Sequence, residues 1–105
     1  MIMNTLNSSG KAFAEHWIWA AEKGVVAVGA DNMAWDAPAE RDADTGATLF
    51  AHVYLLPQKG VYIIENLFLE ELARGRRFEF AFLGIPLKLV GATGSPIRPL
   101  ALVGA

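Results

Sequence analysis

Two side chains of this sequence, His52 and Glu65, are of types that perform chemistry together. An imidazole and a carboxylate can form part of a metal site or an acid/base pair. Glu65 ends the apolar run VYII, where a carboxylate needs a partner because burying an unpaired charge is costly. The structural alternative is a histidine at a helix start and a carboxylate that binds a neighbouring backbone group.

Hydrophobic periodicity predicts the helices and strands that carry His52 and Glu65. A helix is predicted over KAFAEHWIWAAEKG, beginning near Gly10 or Lys11 and stopping at Gly24. The valine-rich run VVAVGA that follows favours a buried strand, and a helix leading into a strand is typical of α/β architecture. TLFAHVYLL fits both strand and helix; we favour a short helix that begins near Leu49 and carries the histidine. PQKG ends this helix, and VYIIEN is the next predicted strand.

The second half of the chain is predicted to hold one more short helix and further strands. LFLEELARG predicts a helix with Leu69 and Leu72 facing inward. RRFEFAFLG alternates, which predicts a strand with one fully buried face formed by Phe78, Phe80 and Phe82. LKLV is a candidate continuation of that strand. GATGSP then reads as a structural turn before the last strand, IRPLALV.

The segment DNMAWDAPAERDADTGA is rich in carboxylates and predicts a long, solvated surface loop. Its acidic residues include Asp31, Asp36, Asp42 and Asp44. A calcium-binding loop is the alternative, but the spacing of the carboxylates is not that of an EF-hand.

Five other polar or aromatic residues have both structural and functional interpretations. His16 lies inside the first helix, and we expect its side chain to be partly buried at an interface with its polar end accessible. Trp17, Trp19 and Trp35 could stack on a ligand, although such residues more often belong to a core or a subunit interface. Arg98 lies inside an apolar strand, so it is either paired with a carboxylate or carbonyl or is a substrate-binding residue.

Length and composition exclude several classes of protein. A chain of 105 residues predicts one domain, residues 1–105. Nine Lys and Arg against eleven Asp and Glu leave a net charge of -2 and no basic stripe, which disfavours nucleic-acid binding. The absence of cysteine excludes disulfides and thiolate metal sites. No apolar run reaches the roughly 18 residues of a membrane span and no signal peptide is apparent, so we expect a soluble, cytoplasmic protein.

Three ordered patterns in the chain resemble a known family. They are VGADNMAWD, then AHVYLLPQKGVYIIENLFLEEL, then FEFAFLGIPLKLVGATGSPIRPLAL. Together they resemble the C-terminal half of the cyclase or kynurenine formamidase-like (arylformamidase-type) family of metal-dependent hydrolases, over about residues 10 to 103.

The resemblance implies an α+β fold of the swivelling β/β/α type, with a mixed sheet and two or three short helices. It also implies a divalent metal, usually zinc or manganese, and hydrolysis of amide-type bonds such as that of N-formylkynurenine. Family members hold their metal mainly through an HxGTHxDxPxH segment in the N-terminal half, joined by a later histidine and a glutamate. His52 and Glu65 match that later pair.

This sequence departs from the family in lacking the HxGTHxDxPxH segment. A hydrolytic metal site needs about three protein ligands, and this chain has two histidines and no HxH or HxxxH pair. We therefore expect no catalytic residue that acts alone and no cofactor in the isolated chain. Zinc or manganese is expected only if another chain, such as a separate N-terminal half or a second copy, completes the site.

Three functions follow from these expectations. The first is a half-domain that is not catalytic by itself and acts through oligomerisation or small-molecule binding. Hydrophobic residues make up 53% of the chain, against about 45 to 50% in ordinary domains by a slightly different residue count, so we expect a dimer or larger homo-oligomer. The second function is an amide hydrolase whose metal site is completed by a partner chain, and the third is a remnant without a selected function.

Overall fold

The computed structural model describes residues 2–4, 11–36, 41, 46 and 48–104, which form two compact units. The first unit, Met1–Leu69, contains strand β1 (Ile2–Asn4), helix α1 (Lys11–Glu22), strand β2 (Ala27–Ala30), helix α2 (Phe50–Val53), a π-helix (Tyr54–Gln58) and strand β3 (Tyr62–Ile64). The second, Glu70–Ala105, contains helix α3 (Glu70–Arg74) and strands β4 (Ala81–Leu83) and β5 (Leu100–Leu102). The expectation of one domain over residues 1–105 stays a prediction, since two compact units can belong to one domain.

A three-stranded parallel sheet in the order β1-β2-β3 organises the first unit. Val28 of β2 lies opposite Ile2 on one side and Ile63 on the other. Parallel neighbours need a crossover connection, which α1 supplies between β1 and β2. All four residues of β2 are buried, as expected for a central parallel strand. The strands predicted in VVAVGA and VYIIEN are confirmed, whereas β1 was not predicted.

The first helix begins and ends where its sequence predicts. It starts at Lys11, and its last turn closes when the Lys23 N–H donates to the carbonyl of Trp19 at 3.0 Å. Gly24 then adopts a positive φ of 65°, which glycine allows at little cost and which ends the helix.

The core of the first unit lies between α1, the sheet and α2. Its buried members are Trp17, Ala20, Val28, Ala30, Trp35, Ala51, Leu55 and Val61. Trp17 packs against two rings of the α2 region, Phe50 and Tyr54, each with its ring centroid 5.1 Å away. Trp17 and Trp35 are therefore core residues, as the structural interpretation holds, while Trp19 is exposed.

The short helix predicted near Leu49 is confirmed as α2, which continues into the π-helix. Pro57 lies inside the π-helix, where it has no N–H to donate to the preceding turn. The Lys59 N–H reaches the carbonyl of Tyr54 at 3.1 Å, five residues back, and Gly60 follows with a positive φ of 66°. The wide turn ends the helical segment directly before β3.

The second unit has little buried apolar surface. Strands β4 and β5 pair in antiparallel fashion, with Phe82 opposite Ala101, and α3 turns Leu72 inward as predicted. The prediction of a fully buried phenylalanine face is wrong: Phe78 is 82% exposed, and Phe80 and Phe82 are half-buried. A two-stranded sheet offers too little surface to bury one face completely.

The predicted strand continuation in LKLV is also absent, since residues 87–90 form no strand. The Leu89 N–H instead donates to the carbonyl of Leu87 at 3.0 Å, which forms a tight turn. The last predicted strand is confirmed over the shorter range of β5. In the GATGSP turn, the Ser95 hydroxyl accepts the Leu87 N–H and donates to the Pro96 carbonyl, each at 2.9 Å.

The arrangement of helices and small strands confirms the expected α+β class. Parallel and antiparallel pairing are both present, in separate sheets. None of the helices among residues 2–4, 11–36, 41, 46 and 48–104 has the length and apolar character needed to cross a bilayer.

Adjacent leucines of the π-helix provide a test of this core. Leu55 has no exposed surface, whereas Leu56 is 39% exposed. We expect Leu55→Ala to lower the free energy of unfolding by about 2 to 5 kcal/mol, because it removes buried methyl groups and leaves a cavity. Leu56→Ala, the matched control, should cost less than about 1 kcal/mol. Urea unfolding followed by tryptophan fluorescence measures both; equal losses would contradict this packing.

Candidate functional site

The parallel sheet brings the segments after β2 and β3 to the same edge. Because β2 and β3 are neighbouring parallel strands, their carboxyl ends meet there, which is where open α/β sheets commonly bind ligands. Trp35 and Asp36 lie in the segment after β2, and Glu65 follows the last residue of β3. The first unit thus collects these side chains from distant parts of the sequence.

Asp36 caps the first turn of α2. Its Oδ1 accepts the N–H of Ala51 at 2.6 Å, and its Oδ2 accepts the N–H of His52 at 3.0 Å. These amides belong to the first turn, where a helix has no internal acceptor for its N–H groups. Leu49, at the N-cap position, makes no side-chain cap bond, so the capping carboxylate comes from elsewhere in the fold.

The same carboxylate holds the ring of His52. Nδ1 of His52 lies 2.5 Å from Asp36 Oδ2, which also receives the His52 backbone N–H. An ionised carboxylate can only accept hydrogen bonds, so this contact is a hydrogen bond when Nδ1 carries the ring proton. The other ring nitrogen, Nε2, lies 3.2 Å from Oε1 of Glu65.

Glu65 is held in turn by backbone groups at the edge of the sheet. Its Oε1 accepts the N–H of Trp35 at 2.7 Å. Asn66 then adopts a positive φ of 55°, and its N–H donates to the carbonyl of Asn32 at 2.8 Å. The bend at Asn66 and its hydrogen bond to Asn32 fix the backbone next to Glu65 and therefore the position of the Glu65 side chain.

The three side chains differ in their access to solvent. The side chain of Asp36 is 9% exposed, whereas those of His52 and Glu65 are 27% and 26% exposed. Solvent therefore reaches the histidine and the glutamate, whereas the aspartate is buried.

The prediction of a solvated acidic loop is wrong for Asp36, which is buried and hydrogen-bonded. The reason is that its carboxylate satisfies backbone donors of α2 that would otherwise lack partners. Asp31 is exposed, as predicted, and Asp42 and Asp44 lie outside the described residues. In the sequence, only the position of Asp36 at the end of VGADNMAWD distinguished it from the other acidic residues of this segment. Its residue type did not indicate that it is buried.

The predicted pair has the donor atoms that a divalent metal accepts. An imidazole nitrogen and a carboxylate oxygen are common zinc and manganese ligands. Each side chain also has a hydrogen-bonding partner that orients it, Asp36 for His52 and the Trp35 N–H for Glu65, as metal ligands usually have. In the part of the chain that the structure describes, no group of three His, Cys, Asp or Glu side chains could hold a metal ion. His52 and Glu65 thus fit two positions of a larger ligand set, and their metal role stays a prediction.

The remaining candidate residues belong to other elements of the chain. Arg98 is exposed and belongs to the second unit, two residues before β5, and its substrate role stays a prediction. His16 is half-buried on α1, and its Nδ1 is buried without a hydrogen-bond partner among the described residues. Its expected interface role also stays a prediction.

Comparisons with known proteins point to one group of enzymes. The chain is 33% identical over 90 residues to a kynurenine formamidase of Bordetella petrii and 31% identical over 78 residues to those of Bacillus cereus and Delftia acidovorans. These alignments cover 85% and 74% of this chain. A crystal structure described as a novel cyclase matches it with a TM-score of 0.66 and 34% identity.

The matches cover only part of the longer proteins. The chain spans 38% of the Bordetella petrii protein and 32% of the Bacillus cereus and Delftia acidovorans proteins. The structural match covers 85% of this chain and 28% of the cyclase chain. No family model matches the sequence.

The bend after Glu65 can be tested through the backbone conformation of Asn66. A left-handed conformation costs an ordinary residue about 1 to 2 kcal/mol, but glycine adopts it freely. We expect Asn66→Ala to have a lower free energy of unfolding than Asn66→Gly, by about 1 kcal/mol. Chemical denaturation measures the difference.

Exposed Lys59, with φ of -108°, is the matched control. At Lys59 the order of stability should reverse, with Lys59→Gly less stable than Lys59→Ala. The φ of Lys59 suits any residue, so glycine relieves no strain there and only raises the conformational entropy of the unfolded chain. Equal stability of the two Asn66 variants would contradict the bend.

Proposed function

Since this chain belongs to the cyclase and kynurenine formamidase-like family, we propose that it carries two ligands of a divalent metal site, His52 Nε2 and the Glu65 carboxylate. The remaining ligands come from another polypeptide segment or chain. By itself the 105-residue chain does not catalyse hydrolysis. Completed, the site hydrolyses an amide-type bond, the class of reaction that the names of the matched formamidases indicate.

The observation that carries this proposal is the approach of His52 Nε2 to Glu65 Oε1 at 3.2 Å. With Nδ1 donating to Asp36, the lone pair of a neutral imidazole is on Nε2, which lies 3.2 Å from a carboxylate oxygen. Two acceptors so close repel each other unless a proton or a cation lies beside both. Ligands of one metal ion have this relationship, and both side chains retain access to solvent.

Each residue of the site has a separate task in the proposed function. His52 and Glu65 would hold the zinc or manganese ion, and Asp36 and the Trp35 N–H orient the two side chains. A bound metal of this kind would supply a water molecule with a pKa near neutrality, the nucleophile that hydrolysis of an amide requires. Both side chains are partly exposed, which is compatible with further ligands that come from another segment or chain.

Binding of Mn²⁺ to the isolated chain tests the ligand assignment. Two ligands bind weakly, and paramagnetic broadening of backbone amide NMR signals detects weak binding. We expect millimolar Mn²⁺ to broaden first the signals of Trp35, Asp36, His52 and Glu65. His52→Ala and Glu65→Gln should each require at least about tenfold more Mn²⁺, since even supporting residues of metal sites contribute that much.

The second histidine provides the matched control. His16→Gln should retain the broadening, because His16 lies on α1 and is not part of the pair. Uniform broadening, or none at millimolar Mn²⁺, would contradict the ligand assignment. In the same samples, hydrolysis of N-formylkynurenine above the buffer rate would overturn the proposal that the chain is inactive by itself.

Association with another chain is the second component of the proposed function, supported by the surface of the second unit. No residue from 70 to 104 is fully buried. Large apolar side chains are exposed there instead: Phe78, Leu83, Ile85, Leu87, Leu89, Val90, Leu100, Leu102 and Val103. Exposed apolar surface on this scale is typical of an interface. A homo-oligomer, or a complex with a separate N-terminal-half chain, would cover it.

Sedimentation velocity tests the association. At micromolar concentration we expect a dimer or larger species, because burying these side chains is favourable. Phe78→Ser should weaken it, since Phe78 is among the most exposed of them and lies outside every helix and strand. Met33→Ser, an exposed position of the first unit, should leave it unchanged. A monomer alone would argue against homo-association.

A further inference from the structure

We infer that Asp36 is a positioning residue that selects the tautomer of His52. Its carboxylate keeps the proton on Nδ1, so that Nε2 is the nitrogen free to bind a cation. The consequence for metal binding rests on the proposed function, whereas the tautomer is a property of the metal-free chain and can be measured separately.

The carboxylate of Asp36 cannot turn away from the ring without losing other bonds. Oδ1 is held by the Ala51 N–H at 2.6 Å and Oδ2 by the His52 N–H at 3.0 Å. Two donors of one helical turn therefore fix the plane and position of the group. The group is also buried, which excludes water as a competing partner for most of its surface.

The fixed carboxylate leaves one arrangement for the neutral ring. Oδ2 lies 2.5 Å from Nδ1 and has no proton to give, so Nδ1 carries the hydrogen and Nε2 the lone pair. Each ring nitrogen faces a carboxylate oxygen, so either tautomer of the neutral ring places one lone pair against a carboxylate. The contact at Nδ1 is 2.5 Å and the contact at Nε2 is 3.2 Å, so the lone pair is repelled less at Nε2. Metal-bound histidines are commonly oriented in this way, through the nitrogen that does not bind the metal.

An amide at position 36 would reverse the preference. If the asparagine oxygen keeps the short bond to Ala51, its NH₂ group faces Nδ1 of His52. Nδ1 must then accept, and the proton of the neutral ring moves to Nε2. The shape of the side chain is almost unchanged, but the NH₂ group also faces the His52 backbone N–H, which then loses its acceptor. The tautomer is therefore read in the Asp36→Asn variant together with its fold.

The imidazole ¹⁵N chemical shifts of the metal-free chain test this inference. The sequence has only two histidines, and His16→Gln assigns their signals. At pH about 9, well above the ordinary histidine pKa of about 6.5, we expect His52 Nδ1 to give the shift of a protonated nitrogen and Nε2 that of an unprotonated one. Asp36→Asn should reverse the two shifts, and Asp31→Asn, a change at an exposed aspartate, should leave them as they are.

The wild-type spectrum alone can overturn the inference, whether or not Asp36→Asn folds. A proton on Nε2 in the wild type, or an unchanged tautomer in folded Asp36→Asn, would contradict it. Mn²⁺ broadening is the second readout, and Asp36→Asn should weaken binding about 10- to 100-fold. If the tautomer is as expected but the wild type binds no Mn²⁺, the proposed function fails and the role of Asp36 remains.

Discussion

The candidate site depends on one buried carboxylate that satisfies the start of a very short helix. Helix α2 has four residues, and its N-cap residue, Leu49, lies in the left-handed region and gives no side-chain oxygen to the first turn. Asp36 supplies that acceptor to Ala51 and His52. Hydrogen bonds to a charged group stabilise a fold by about 1.5 to 3 kcal/mol each, which is substantial for so short an element. Since His52 lies in this turn, the same group that stabilises the helix orients the ring.

The second constraint is the parallel pairing of β2 and β3. Register places Gly29 opposite Ile64, so the chain leaves both strands at the same edge of the sheet. The Trp35 N–H then meets the Glu65 carboxylate at 2.7 Å. A sheet with antiparallel pairing would place these ends at opposite edges. The positions of the two carboxylates therefore follow from topology as much as from local sequence.

Elements defined by local patterns could be predicted, and elements defined by distant partners could not. The extent of α1 follows from helical periodicity and from Gly24, and VVAVGA and VYIIEN have the composition of buried strands. Strand β1 depends on pairing with β2, which no property of its own residues indicates. The alternation of Phe78, Phe80 and Phe82 indicates a strand, but the burial of its face depends on what packs against it.

The two proposed ligands could be identified from the sequence, because a histidine and a later glutamate match the corresponding pair of the family. The distance of 3.2 Å between Nε2 and Oε1, and the contact of Asp36 with the other ring nitrogen, are visible only in the folded chain. Asp36 could not be identified from local sequence because the first N–H groups of a helix can donate to any acceptor that the fold brings near. Here that acceptor lies 15 residues before Ala51, in a segment whose acidic composition predicted a solvated loop.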